Sequence, residues 1–168
     1  MTNLLKVEHL SKQFKGHPVV KDISFNIEEG HCVALLGPNG AGKTTTLHML
    51  TGLLKATSGH IRLLVNGQEV ADPRQYIGYL PQTPTFYPWM TGQEFVQYSA
   101  ELSGLTLLEA RGRTKEWLEQ VGLTDAARRK IGGYSGGMKQ RLGFAQALIH
   151  EPKLLILDEP VSALDCGA

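Results

Sequence analysis

Gly37-Pro38-Asn39-Gly40-Ala41-Gly42-Lys43-Thr44 fits the pattern G-x-x-x-x-G-K-[ST]. Its setting makes it decisive for the fold. The run before it, Cys32-Val33-Ala34-Leu35-Leu36, is compact and apolar, as in a strand buried on both faces. After it, Leu47, Leu50 and Leu54 recur at helical spacing. The expectation is a strand over 32–36, a glycine-rich turn, and a helix from Lys43. Gly37, Gly40 and Gly42 lack side chains, so the backbone bends tightly and turns its N–H groups inward; the positive end of the following helix adds to an anion site. Lys43 has the reach to meet β- and γ-phosphates, and the Thr44 hydroxyl suits Mg²⁺.

Working outward, Leu5 and Val7 flank Lys6, and Ile23, Phe25 and Ile27 alternate with polar neighbours. That period of two marks half-buried antiparallel strands. Ser58-Gly59 punctuates the chain, Ile61, Leu63 and Val65 alternate again, and Asn66-Gly67 is a two-residue hairpin signal. A strand around residues 77–80 ends at Pro81, and residues 82–129 read mainly as helix. Thr106 and Glu109 stand at capping-box spacing, and Gly122 suits a helix C-terminal cap.

The 168 residues (18.4 kDa) carry 17 Lys and Arg against 16 Asp and Glu, a net charge of +1. This balance lacks the basic footprint of a nucleic-acid binder, so no direct nucleic-acid partner is expected. Apolar runs such as 33–36 and 154–157 are far shorter than the ~20 residues that span a bilayer. The first residues lack the basic start and apolar middle of a secretory signal. Cys32 and Cys166 make no disulfide framework, so a reducing cytosol is expected.

Two further features carry chemistry. Ser135 is a good N-cap for a stretch in which Met138, Leu142, Ala145 and Ile149 recur at helical spacing, and Gly136 and Gly137 leave the first helical amides uncovered. Leu154-Leu155-Ile156-Leu157 then runs into Asp158-Glu159. This places two carboxylates at the C-terminal edge of a sheet, where open α/β sheets bind ligands. Asp158 is placed to hold a Mg²⁺ shell, and Glu159 to polarise a water aimed at a γ-phosphate.

In this order the motifs resemble the nucleotide-binding domain of an ATP-binding cassette transporter over essentially the whole chain. Residues 37–44 resemble Walker A, Tyr79-Leu80-Pro81-Gln82 the Q-loop, Tyr134-Ser135-Gly136-Gly137-Met138 the signature motif, Leu154 to Pro160 Walker B, and Ser162 to Asp165 the D-loop. The resemblance implies an α/β fold: a P-loop NTPase core with an antiparallel β subdomain and an inserted helical subdomain. Residues 1–81 and 151–168 would form the core and 82–150 the mainly helical part of a single incomplete domain.

The resemblance also implies that ATP is held by Gly37, Pro38, Asn39, Gly40, Ala41, Gly42, Lys43, Thr44 and Thr45, with Phe14 stacked on adenine. Thr44, Gln82 and Asp158 would hold Mg²⁺, and Glu159, Lys43 and Gln82 would be catalytic. Two cassettes, identical or different, would pair so that Ser135, Gly136 and Gly137 of one close over the γ-phosphate held by the other, with Asp165 across the interface. The expected function is ATP hydrolysis driving transport, with export favoured by the Ser-Gly-Gly-Met form of the signature. The chain would sit in the cytoplasm, on the inner face of the membrane beneath a separate transmembrane permease, with Phe86, Tyr87 and Trp89 contributing to the docking groove.

Tyr134, Met138, Val161 and Cys166 depart from the family's usual residues. All six histidines precede Walker B, so none stands where the family's switch histidine would. That makes a catalytically incompetent truncated cassette one alternative, and a soluble cassette acting on ribosomes or DNA another. His150 reads as a helix C-terminal residue favoured by the helix dipole.

Overall fold

The computed structural model describes residues 2–159. The D-loop resemblance at Ser162 to Asp165, with Val161 and Cys166, lies outside the described residues. The chain divides into two compact units, Met1–Arg74 and Gln75–Ala168.

In the first unit, β1 (Asn3–Phe14) and β2 (His17–Glu28) form a hairpin. Lys15 and Gly16 connect them with φ of 48 and 82°, the two positive values of a type I′ turn whose twist matches the strands. The alternating positions face one another: Leu5 pairs with Ile27, Val7 with Phe25 and Leu10 with Ile23. Strict alternation would put Val7 and Leu10 on opposite faces, yet both are buried. A register shift between them, with His9 at φ 50°, rotates Leu10 back to the core.

β3 (Ser58–Val65) pairs with β1, and β4 (Gln68–Glu69) closes the sheet order β2-β1-β3-β4. The hairpin at Asn66-Gly67 forms, with φ of 53 and 77°. Ser58 and Gly59 lie inside β3 and do not interrupt it. Gly59 sits at φ 93°, and a Cβ there would collide with the His9 carbonyl. The glycine therefore marks a close approach of two backbones, which reads in sequence like a turn.

α1 spans Lys43–Leu50. The helical spacing that continues to Leu54 overruns the helix, because Gly52 turns left-handed at φ 75° and the Leu54 N–H bonds back to the His48 carbonyl at 3.0 Å. Residues 32–36 differ from expectation more sharply. They form no strand, and Leu36 is 91% exposed. A buried strand requires a neighbouring edge for its N–H and C=O groups, and no described strand pairs with this segment.

In the second unit, β5 (Ile77–Leu80) and β6 (Leu154–Leu157) pair in parallel, with Ile77 opposite Leu154 and Leu80 opposite Leu157. Between them in sequence lie α2 (Gly92–Leu102), α3 (Leu107–Gln120) and α4 (Gly136–Leu148). Their core contains Phe95, Val96, Leu118, Ile131, Leu142 and Ile149. The Thr106–Glu109 capping box starts α3, and Thr91 with Glu94 builds a second one at α2. Gly122, at φ 67°, follows the end of α3 as a cap should. α4 packs against β5, where a Cβ on Gly78 would collide with the Ala147 carbonyl. His150 follows α4, and its Nε2–H donates to the Ile77 carbonyl at 3.1 Å. It thus ties the helix end to β5, a tertiary role beyond a response to the helix dipole.

Candidate nucleotide site

The first unit supplies a phosphate loop. Gly42 caps α1 in the left-handed region at φ 90°, with no side chain bonded to the first-turn amides. A Cβ on Gly42 would meet the Val19 carbonyl at 2.8 Å, so β2 backs the loop closely. Gly40 also has positive φ, 82°, and the Ala41 N–H bonds the Pro38 carbonyl at 3.1 Å. Residues 39–44 are thus wound into a tight arch around an uncapped helix start, the arrangement that concentrates donors for an anion.

Lys43 folds back over this arch. Its ammonium donates to the carbonyls of Gly37 at 2.6 Å and Pro38 at 3.0 Å. The positive charge is therefore held at the loop. Beside it a cavity of ≈ 360 Å³ is lined by Val20, Ile23, Leu35, Ala41, Gly42 and Lys43, among others. Phe14, at the end of β1, is 44% exposed, and the Lys12 ammonium lies 5.0 Å from its ring centroid. That cation engages one face of the ring.

The second unit supplies the acids. Asp158 and Glu159 follow β6, and the Asp158 N–H continues the sheet ladder to the Leu80 carbonyl at 2.9 Å. This bond fixes the first acid, which is only 4% exposed. Burial, and then the Asp158 charge, pushes the Tyr79 phenol upward. Gln82 extends from the end of β5, and its Nε2–H donates to Glu159 Oε2 at 2.7 Å. Parallel register explains the meeting: Leu80 stands beside Leu157, so two residues on from each are residues close to one strand edge. Gln82, Asp158 and Glu159, 76 and 77 positions apart in sequence, therefore share one end of the sheet.

Ser135 caps α4 as its sequence predicts, accepting the Met138 N–H at 3.2 Å, and Gly136 and Gly137 are exposed. The sequence did not reveal how the preceding residue works. Tyr134 is buried, and its hydroxyl donates to the Ala126 carbonyl at 2.7 Å. Burial pushes its phenol upward, which keeps it a donor. Of the aromatics after Gln82, Phe86 packs edge-on against Phe95 at 5.1 Å and belongs to the helical core, whereas Trp89 is 68% exposed.

Within the second unit, the Gln82 amide oxygen and the Asp158 carboxylate are hard oxygens at one end of β5 and β6, the chemistry Mg²⁺ prefers over nitrogen or sulfur ligands. Among the described residues no cluster of three His, Cys, Asp or Glu side chains forms a metal cage of its own. Such a set suits a metal that arrives with phosphate oxygens, as Mg²⁺ does.

A strand-end acid pair and a glycine-arched helix start with its lysine define a P-loop nucleotide-binding protein. Residues 20–162 match the ABC transporter family, and the chain belongs to it. It is 60% identical over 162 residues to the ABC transporter ATP-binding protein YxlF of Bacillus subtilis (strain 168), covering 96% of this chain and 54% of that protein. It is 44% identical over 164 residues to the linearmycin resistance ATP-binding protein LnrL of the same organism, covering 96% and 53%. A solved structure described as the ATP binding subunit of an ABC transporter superposes with a TM-score of 0.85 at 35% identity, covering 97% of this chain and 69% of that one. The chain spans about half the length of the curated relatives it matches.

Proposed function

We propose that this chain is an ATP-binding subunit that hydrolyses Mg²⁺-ATP to drive export through a separate membrane permease. The observation that supports the reading best is the meeting of Gln82 and Glu159 at 2.7 Å beside the buried Asp158. In this reading the amides of residues 37–45 bind the phosphates, and Lys43 exchanges its bonds to the Gly37 and Pro38 carbonyls for phosphate oxygens. Phe14 stacks on adenine through the ring face opposite Lys12. Thr44, Gln82 and Asp158 would hold Mg²⁺, which would supply charge neutralisation at the phosphates. Glu159 accepts a proton from the attacking water, and Gln82 releases its bond to Glu159 to orient that water. Ser135, Gly136 and Gly137 of a second cassette complete the phosphate cage, and residues 82–150 act as the helical part of the domain.

Among the described residues no helix is long and apolar enough to cross a membrane, and this reading assigns the membrane passage to a separate partner. The exposed Trp89 and Tyr87 form the proposed contact with it, at the cytoplasmic face of the membrane. Export is favoured by the Ser-Gly-Gly-Met signature and by the resistance function in the name of LnrL. Phosphate release from Mg²⁺-ATP tests the reading. Turnover should vanish in Lys43→Ala and Glu159→Gln, and only Lys43→Ala should also lose nucleotide binding. Turnover that survives both substitutions would refute the roles assigned. A second reading, ATP binding without turnover, is favoured by one observation: the segment 32–36 that feeds the loop carries no sheet ladder. It predicts fluorescent ATP binding by the wild type with no phosphate release above that of Glu159→Gln.

A further inference from the structure

The second unit contains a cavity of ≈ 520 Å³ that shares no residue with the nucleotide site. Its wall includes Arg111, Thr114, Lys115 and Leu118 of α3, with Asp125 and Arg128 from the turn that follows. The volume lies in the range of small-molecule pockets, about 300–1,000 Å³. Its charge is unusual: three cations face one anion, a local balance of +2 in a chain whose net charge is +1.

These cations are not spent on internal pairs. Among the described residues, Arg111, Lys115 and Arg128 form no ion pair with an acidic side chain, and Asp125 neutralises none of them. Arg111 and Lys115 stand at i and i+4 on α3, where like charges repel by a few tenths of a kcal/mol, roughly 0.2–0.5. Arg128 adds a third charge to the same wall. An arrangement of this kind is relieved by an anion.

A second observation points the same way. Thr114 is 1% exposed, and its hydroxyl has no hydrogen-bond partner. Helical hydroxyls ordinarily bond the carbonyl one turn back, as Thr46 does to Gly42 at 2.9 Å and Ser99 to Phe95 at 2.9 Å. An unpaired buried hydroxyl costs about 1–3 kcal/mol, and this one belongs to a residue that lines the cavity. Leu118 and Ala127 supply an apolar part of the wall.

We propose that this cavity binds a small organic phosphate monoester, a dianion whose charge matches the local balance of +2. The guanidinium forks of Arg111 and Arg128 suit phosphate oxygens, Lys115 adds a point charge, and the Thr114 hydroxyl donates to the phosphate. The carbon body of the ligand lies against Leu118.

Isothermal titration of the full chain with glucose 6-phosphate as probe tests this, with glucose and inorganic phosphate as separate arms. Saturable binding near about 1 mM is expected for the phosphate ester, weaker binding for inorganic phosphate, and none for glucose. The double variant Lys115→Gln, Arg128→Gln should bind at least about tenfold more weakly while keeping its circular dichroism. Thr114→Val should lose about threefold in affinity yet raise the urea midpoint of the free protein, since it removes an unpaired buried hydroxyl, and Thr114→Ser should restore binding. Lys43→Ala should bind the probe unchanged. No binding up to about 10 mM, binding undiminished in the double variant, or binding lost in Lys43→Ala would each overturn the proposal, the last by assigning the phosphate to the nucleotide loop.

Discussion

Replacing Tyr134 by phenylalanine isolates one hydrogen bond at the entrance to α4. The ring is 5% exposed, and its hydroxyl donates to the carbonyl of Ala126, itself 7% exposed, at 2.7 Å. Phenylalanine keeps nearly all the packing and removes one of two bonds to that carbonyl, which still accepts the Arg129 N–H at 2.9 Å. Net loss of a neutral bond is about 1 kcal/mol, within a range of about 0.5–1.5. With a denaturant slope of about 1.5 kcal/mol/M for a unit of this size, the urea midpoint should fall by roughly 0.3–1.0 M. The assay is urea unfolding followed by far-ultraviolet circular dichroism, which reads chiefly α2, α3 and α4 of the second unit. Tyr134→Leu, the residue usual for the family at this place, should cost more, because it loses ring packing as well as the bond. A midpoint for Tyr134→Phe within about 0.2 M of the wild type, with an unchanged slope, would refute the reasoning: the hydroxyl bond would then add nothing to the Arg129 N–H bond that the same carbonyl accepts.

Other expectations follow from the same structure. Gly59→Ala should cost more than about 3 kcal/mol, since it combines a left-handed φ of 93° with a collision against the His9 carbonyl, whereas Gly16→Ala, at φ 82° with open space around it, should cost about 1; chemical denaturation of the two variants compares them directly. Thr91→Val and Thr106→Val should each lose about 1 kcal/mol by removing a capping box. Hydrogen bonds from the Thr91 and Thr106 backbone and hydroxyls hold the carboxyls of Glu94 and Glu109 below their ordinary value. Their contribution is therefore complete above the unfolded pKa near 4.5 and is lost as pH falls below it through the lowered folded value. Unfolding monitored across that acid range should be less pH-dependent in Glu94→Gln, Glu109→Gln. Iodide should quench the fluorescence of Trp89, which is 68% exposed, more strongly than that of Trp117, which packs against the helical core; single-tryptophan variants separate the two.

Much of the backbone geometry of the candidate phosphate loop is legible in the sequence. Residues 37–44 are a local device: glycines that permit positive φ, a helix start without a side-chain cap, and a lysine one residue in. Each acts within a few residues of itself, so spacing alone encodes it. The hairpins at Lys15-Gly16 and Asn66-Gly67, the Ser135 cap and the Thr106 capping box are of the same kind. Where the reading failed, the deciding partner was distant. Gly59 looks like a turn because sequence shows a missing side chain without showing the His9 carbonyl that requires it. The second capping box, Thr91 with Glu94, is by contrast local and carries the same T-x-x-E signal as the first.

The sequence by itself determined the class of chemistry: an anion-binding loop, a capped helix with bare amides, and a strand ending in two acids, because local backbone geometry and residue type suffice for each. Tertiary structure decided which of these meet and which apolar segments find a sheet. Gln82 reaches Glu159 because parallel pairing of β5 with β6 sets Leu80 beside Leu157. Residues 32–36 have the composition of a buried strand but no described ladder partner. Apolar pattern records what a segment's side chains favour, whereas a strand exists only where another backbone offers the hydrogen bonds that its own peptide groups require.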